Sequence, residues 1–247
     1  MSVNHPNNND VDATQNNATH FLIELRSRLI YSLIFLFILF AVLLYFANDL
    51  YTLLAMPLLK FLPQGHLIAT QIVSPFFVPF RLAFFAAMVL AAPFFLYQAW
   101  VFVAPALYAR ERRLLWPFLF VSIFLFYAGI IFAYGVIFPL LFHFLASVAP
   151  EGVTLSPDIS AYLDFTLKLL LIFGSLFEIP IIMGLLTVTG VVTHARFVKM
   201  RSYAIVGAFI IGMFLGPPDV LSQIILAVPI WLLYEAGVLL ARFFTRA

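Results

Sequence analysis

The sequence predicts an all-α protein that crosses a lipid bilayer six times, and three observations carry that expectation. First, 64% of the 247 residues are apolar and only 10% are charged, with a mean hydropathy of +1.09. An average soluble domain is nearer to about 45–50% apolar and about 25% charged. Thirteen cations and 11 acids cannot cover a folded surface in water, so most of the outer surface must face lipid. Second, uncharged stretches recur at the length needed to cross the hydrocarbon, about 20 residues each. Third, the cations gather in alternate connections between those stretches. A water-soluble fold is excluded, and a net charge of +2 gives no reason to expect nucleic acid as a partner. Cysteine is absent, which removes any disulfide framework, thiolate metal site or iron–sulfur cluster.

Taken in order, residues 1–19 are polar, Asn-rich and free of Lys and Arg, and are expected to be a disordered leader. They lack the basic region of a secretory signal and the arginines of a transit peptide. Residues 20–247 are expected to form one membrane domain. Leu22, Leu25 and Leu29 recur at helical spacing, an amphipathic surface helix before the first span. That span, about 29–47, has 19 uncharged residues from Leu29 to Ala47 and would rise about 28 Å. Between Asp49 and Arg81, with Lys60 the only charge, Pro57, Pro63, Gly65, Pro75 and Pro79 predict an ordered external loop with short helical pieces.

The second span, about 82–105, ends near Pro105. Leu114 to Pro150 is uncharged over 37 residues and predicts one long third helix, crossing at about 114–141 and protruding on the far side. The fourth span, about 162–186, follows a loop with Glu151, Asp158, Asp164 and Lys168 and carries Glu178 within it. The fifth, about 202–216, lies in only 17 uncharged residues before the turn Gly216-Pro217-Pro218-Asp219. The sixth, about 220–241, contains Glu235, and both C-terminal spans read as short.

Arg26 and Arg28, then Arg110, Arg112 and Arg113, then Arg196, Lys199 and Arg201, then Arg242 and Arg246 are 10 of the 13 cations, all in alternate connections. The positive-inside rule therefore puts both termini in the cytoplasm and requires six spans, since a re-entrant pair around Gly216–Asp219 would leave the C-terminal arginines outside. Glu178 and Glu235 lie within apolar sequence, where a carboxylate at mid-bilayer costs at least about 2.5–3.5 kcal/mol and normally faces protein or water.

Enzyme signatures are missing: no H-E-x-x-H, no G-x-S-x-G, no phosphate loop, and no second acid near Asp219 to make a dyad. The five histidines are scattered over different segments without metal-ligand spacing. No catalysis, metal or other cofactor is expected. Carboxylates among arginines at the cytoplasmic edge remain. Glu24 stands four residues before Arg28, and Glu111 sits within Arg110-Glu111-Arg112-Arg113. Spacing alone admits two readings of each, an ordinary ion pair worth about 0.2–0.5 kcal/mol or a binding carboxylate.

The chain resembles the TatC family of the twin-arginine translocase from His20 to Phe244. The matching elements are H-x-x-E-L-R-x-R at His20–Arg28, Ser74-Pro75-Phe76-Phe77, A-P-A-L-Y-x-x-E-R-R at Ala104–Arg113, F-E-x-P at Phe177–Pro180 and P-P-D-x-x-S-Q at Pro217–Gln223. The resemblance implies a cupped, glove-like bundle in the bacterial inner membrane. It also implies a receptor for twin-arginine signal peptides of folded precursors that scaffolds TatB and TatA, self-associates, and serves export driven by the proton-motive force.

On that resemblance, Glu24 and Glu111 are the carboxylates for the paired guanidiniums, which bond carboxylate bidentately where an ammonium is a point charge. Arg26 is a helper that orients Glu24 or contacts lipid phosphate, alongside a bland role in snorkelling. Phe102 contacts the signal's apolar stretch or anchors the interface. Glu178 corresponds to the family's intramembrane acid, in a helix that Pro180 would kink. Asp219 is a polar contact or a helix cap, Gln223 a contact for the single-span partners, and Glu235 a partner contact or a structural hydrogen-bonding group. A proton-coupled small-molecule transporter using Glu178, Glu235 and His143 is the alternative, without the related halves such a protein would show.

Overall fold

The computed structural model describes residues 8–47, 49–50, 74–103, 115–148, 158–216 and 219–246. The expected loop at 51–73, the motif at 104–113 with Glu111, and Pro217-Pro218 lie outside the described residues. Nine α-helices and one π-helical turn make up the described structure: α1 Asn8–Tyr45, α2 Ser74–Val103, α3 Leu115–Phe132, the π turn Ala133–Ile137, α4 Phe138–Val148, α5 Ile159–Leu176, α6 Ile179–Val188, α7 His194–Lys199, α8 Arg201–Leu215 and α9 Val220–Arg246. Five helical segments are long and apolar enough to cross a membrane, and α8 is a shorter apolar sixth.

Helix α1 starts at Asn8, so it takes in most of the segment expected to lack structure. No Gly or Pro interrupts residues 8–45, and a helix already nucleated by an apolar span propagates backward at little cost. The third crossing is the long helix the sequence predicts, but a widened turn interrupts it, with the Phe138 N–H bonded to the carbonyl of Ala133 five residues back. Pro139 follows at once. It donates no N–H and crowds the preceding turn, and the extra residue in that turn absorbs both defects.

The fourth crossing is two helices. Asp158 caps α5 by accepting from the N–H groups of Ser160 and Ala161 at 2.9 and 3.1 Å. A turn at Phe177-Glu178 then separates α5 from α6, and Pro180 sits in the first turn of α6, where its missing N–H would be unpaired in any case. Of the last two crossings only α8 is short, at 15 residues. Helix α9 runs for 27, because Arg242 and Arg246 lie within it instead of ending it.

Helices α1 and α2 pack together, α2 packs on α3 and α5, α3 on α5, and α9 on α6 and α8. Helices α3 and α5 approach closely through facing glycines: a Cβ added to Gly129 would stand 2.6 Å from the Phe173 carbonyl oxygen and 3.0 Å from the Gly174 Cα. Small residues of this kind let membrane helices gain packing where water-driven collapse is absent. Phe138, Phe173, Leu82 and Leu169 are fully buried around that contact. Leu29, Phe124, Phe214 and Phe243 are largely exposed, the outward apolar face that lipid must cover.

Candidate functional site

Glu24 lies on α1, a turn before the apolar run begins. Arg28 is one turn further on and its guanidinium bonds one carboxylate oxygen, Oε1, twice, from Nη2 at 2.6 Å and Nε at 3.1 Å. The Nη1 of Arg28 donates to the Gln98 Oε1 on α2 at 3.2 Å, so the pair is tied across the α1–α2 interface. Both side chains keep a fifth to a third of their surface open, 22% for Arg28 and 29% for Glu24. Beside them α1 and α2 leave an apolar groove of about 360 Å³ walled by Leu25, Leu29, Leu33, Phe95 and Phe102. The guanidinium that orients Glu24 is therefore that of Arg28, and Arg26 is exposed. Phe102 stands on the groove.

Glu178 occupies the turn between α5 and α6, buried to 8% of its surface. Its Oε2 accepts from the Ser122 hydroxyl of α3 at 2.7 Å, and the Ser122 oxygen accepts from the Trp100 indole N–H of α2 at 3.1 Å. Ser122 is wholly buried and Trp100 nearly so. Among the described residues, Glu178 Oε1 is buried with no donor. A half-satisfied carboxylate in an apolar interior is costly and invites a donor from outside the chain. Ser122 and Trp100 were not anticipated as site residues. The available signal was Ser122 itself, a small hydroxyl flanked by Val121 and Ile123 in an otherwise apolar crossing.

Asp219 caps α9, its Oδ1 accepting the Ser222 N–H at 2.7 Å, and that bond holds its carboxyl below the usual range. Gln223, one turn on, donates from Nε2 to the Phe209 carbonyl of α8 at 2.9 Å and so joins the last two crossings. Glu235 binds Arg201 at 2.8 Å, also between α9 and α8. That places Glu235 beside the cation at the start of α8, and Glu178 and Glu235 take different partners. Near this pair a groove of about 270 Å³ runs along Ala204, Gly207 and Ala208 of α8, against Ile230 and Tyr234 of α9. No group of three or more His, Cys, Asp or Glu that could hold a metal occurs among the described residues.

Residues 20–229 match the profile of a family described as Sec-independent protein translocase protein (TatC). The chain is 51% identical over 235 residues to the Sec-independent protein translocase protein TatC of Escherichia coli (strain K12), covering 95% of this chain and 91% of that protein. It is 38% identical over 230 residues to the protein of the same name from Aquifex aeolicus (strain VF5), covering 92% and 95% respectively. A crystal structure described as that of the twin arginine translocase receptor TatC superposes with a TM-score of 0.83 at 38% identity, covering 91% of this chain and 99% of that one.

Proposed function

The chain belongs to the TatC family of Sec-independent protein translocases, and from that premise we propose that it is the receptor that reads paired arginines in signal peptides of folded precursors. It is a multi-pass protein of the bacterial inner membrane and a component of twin-arginine protein translocation, part of a translocase and not a classical enzyme. Both termini and the Glu24 end of the bundle face the cytoplasm, the arrangement that puts 10 of 13 cations on that side.

The observation that carries the reading is the Glu24 carboxylate, already holding a guanidinium at the mouth of an apolar groove. A signal with two arginines ahead of an apolar stretch presents the same two chemistries in the same order. Its arginine displaces Arg28, which holds only Oε1, and can take both carboxylate oxygens in a charge-assisted bidentate contact. A lysine must displace the same guanidinium and returns only a point charge. Glu111 takes the second guanidinium. The apolar stretch lies against Phe102 and the leucines of the groove, while Arg26 stays at the lipid headgroups.

The single-span partners TatB and TatA dock on the α8–α9 side, where Ala204, Gly207 and Ala208 leave room for a helix and Gln223, further along α9, is their polar contact through its amide oxygen. Glu178, with its open oxygen, is the intramembrane contact for a donor on a partner. Copies of this chain self-associate in the receptor complex.

Site-specific photo-crosslinking from positions 33 and 95, on the groove beside Glu24, to a precursor, comparing an Arg-Arg with a Lys-Lys signal, tests the reading. Crosslinks to the Arg-Arg signal alone are expected, lost on Glu24→Ala with Glu111→Ala. Equal crosslinking of the two signals, or no effect of the double substitution, would defeat it.

A further inference from the structure

Two hydrogen-bonded chains meet on the last turns of α2. Toward α1, Gln98 accepts from Arg28, which is held by Glu24. Toward α3, Trp100 donates to Ser122, which donates to Glu178. Residues two apart on a helix stand about 200° around its axis, so Gln98 and Trp100 face opposite sides of one turn. Here those sides are α1 and α3, both of which pack on α2. We propose that this turn, through Gln98 and Trp100, couples occupation of Glu24 by an incoming guanidinium to the hydrogen bonding of Glu178. The proposal rests on the receptor reading above and adds a route from the signal at the rim to the acid within the bundle.

The two ends of the route differ in firmness, and the difference gives it direction. At the rim the bonds are open to water, and the Arg28–Gln98 bond is long at 3.2 Å. Inside, Ser122 to Glu178 is short at 2.7 Å and wholly buried, and the Trp100 ring stacks on Phe118 at 5.5 Å between centroids. When a signal arginine takes Glu24, Arg28 loses its carboxylate and keeps only Gln98. The guanidinium must swing toward another acceptor or water, and Gln98 is drawn with it or released. A side chain alone cannot absorb this on the Trp100 side, because Phe118 fixes the indole against α3. Rotation of the α2 turn therefore lengthens the indole–Ser122 bond of 3.1 Å, already near the limit for N–H donors. Ser122 then loses the donor that polarises its hydroxyl, and its own bond to Glu178 weakens, which favours a partner's donor at that carboxylate. Gln98 and Trp100 act as positioning residues. Gln98 lines the groove, and Trp100 is not among its lining residues.

The test uses the full chain in mild detergent with Trp116→Phe and Trp231→Phe, which leaves Trp100 as the sole indole of three. A labelled Arg-Arg signal peptide is titrated, with its anisotropy reporting binding and the Trp100 emission reporting the α2 turn. Binding with a change in Trp100 emission is expected, and the Lys-Lys peptide should give neither. Because Gln98 lines the groove, Gln98→Leu is compared with the parent at peptide saturation, set by anisotropy, where the emission change should be lost. Gln98→Glu, which keeps an acceptor for Arg28, should restore it. Ser122→Ala should shift the emission before any peptide is added. Peptide binding without an emission change in the parent, or an undiminished change in Gln98→Leu, overturns the coupling and leaves the receptor standing. No binding of the Arg-Arg peptide by the parent overturns the receptor reading instead.

Discussion

Gly129 sets how closely α3 stands to α5, and Gly129→Ala is expected to damage both stability and the Glu178 centre. The added Cβ would meet the Phe173 carbonyl oxygen at 2.6 Å, the Phe177 ring at 2.9 Å and the Gly174 Cα at 3.0 Å. Two of these three are backbone atoms and cannot rotate away. Relief to the 3.0–3.4 Å range of tight contact requires the helices to part by about 0.4–0.8 Å. Overpacking of this size costs about 1–3 kcal/mol, which in a chain of this length lowers the melting temperature by roughly 2–10 °C. Ser122 lies seven residues before Gly129, on the same face of α3, so the separation reaches the Ser122–Glu178 bond as well. From 2.7 Å, the same displacement carries that contact beyond about 3.0 Å, the far edge for a hydroxyl donor. Thermal unfolding in detergent, followed by helical ellipticity, measures the first effect, and Trp100 emission, whose acceptor is Ser122, measures the second. Gly207→Ala is the control, a mid-helix glycine with nothing within 4 Å of the added carbon. If Gly129→Ala melts with Gly207→Ala and leaves Trp100 unchanged, the claim that the glycine contact positions Ser122 against Glu178 is wrong.

Asp219 should impose an acid limit on α9. Its carboxyl is lowered by the Ser222 N–H, so the cap is complete above the unfolded value of about 3.9 and is lost as pH falls through the lower folded value. Asp219→Asn, which keeps an acceptor, should flatten the melting temperature across that window, and Asp219→Ala should lower it at neutral pH; identical pH profiles for the parent and Asp219→Asn would remove the cap from the account. Lengthening α8 by four to six Leu should leave signal binding intact and reduce transport, because its 15 residues rise only about 22 Å against about 30 Å of hydrocarbon and thin the bilayer there. Unchanged transport would sink that reading. The Arg201–Glu235 pair is partly exposed, at 46% and 22%, so neutralising either member should cost no more than about 1 kcal/mol and exchanging the two charges should recover it. A larger loss in chemical unfolding, or no recovery, would show that the pair does more than join α8 to α9.

What was legible in the sequence divides by range. The crossings follow from uncharged length, and their number from the alternation of cations, both local or additive properties. The Glu24–Arg28 contact is equally local, four residues on one helix, and helix geometry also selects Arg28 over Arg26, which is two residues away and faces elsewhere. Gln98 could not be found this way, since its bond to Arg28 spans 70 positions. The Ser122–Glu178 bond spans 56, and nothing in either segment names the other. Departures at the helix ends have the same origin. Residues 8–19 read as disordered by composition but continue a helix that their neighbours nucleate. Helix α9 outlasts its uncharged stretch because arginines at a membrane rim extend a helix as readily as they end a span. The break at Phe177-Glu178 was foreshadowed by Pro180, whereas the π turn before Pro139 reflects one of several ways a helix accommodates a proline.

The scarcity of charge makes the pairing of the remaining groups informative. In a soluble protein an i,i+4 pair such as Glu24–Arg28 is a surface detail. Here Arg28 also donates an interhelical bond to Gln98, and Gln98 is two residues from the indole that satisfies Ser122. At the buried end, removing Trp100, Ser122 or Glu178 leaves a neighbour unpaired in a medium that offers no substitute, whereas at the rim water can replace a lost partner. The break in the fourth crossing belongs to the same logic. An unbroken helix would present the residue at 178 on a face set by the α5 register alone. The turn lets Glu178 leave that register, reach Ser122 with one oxygen and keep the other without a donor among the described residues. Satisfying Glu178 through one oxygen from α3 thus fixes the α5–α6 break against the Trp100–Ser122 line, and it could not do so from an unbroken helix.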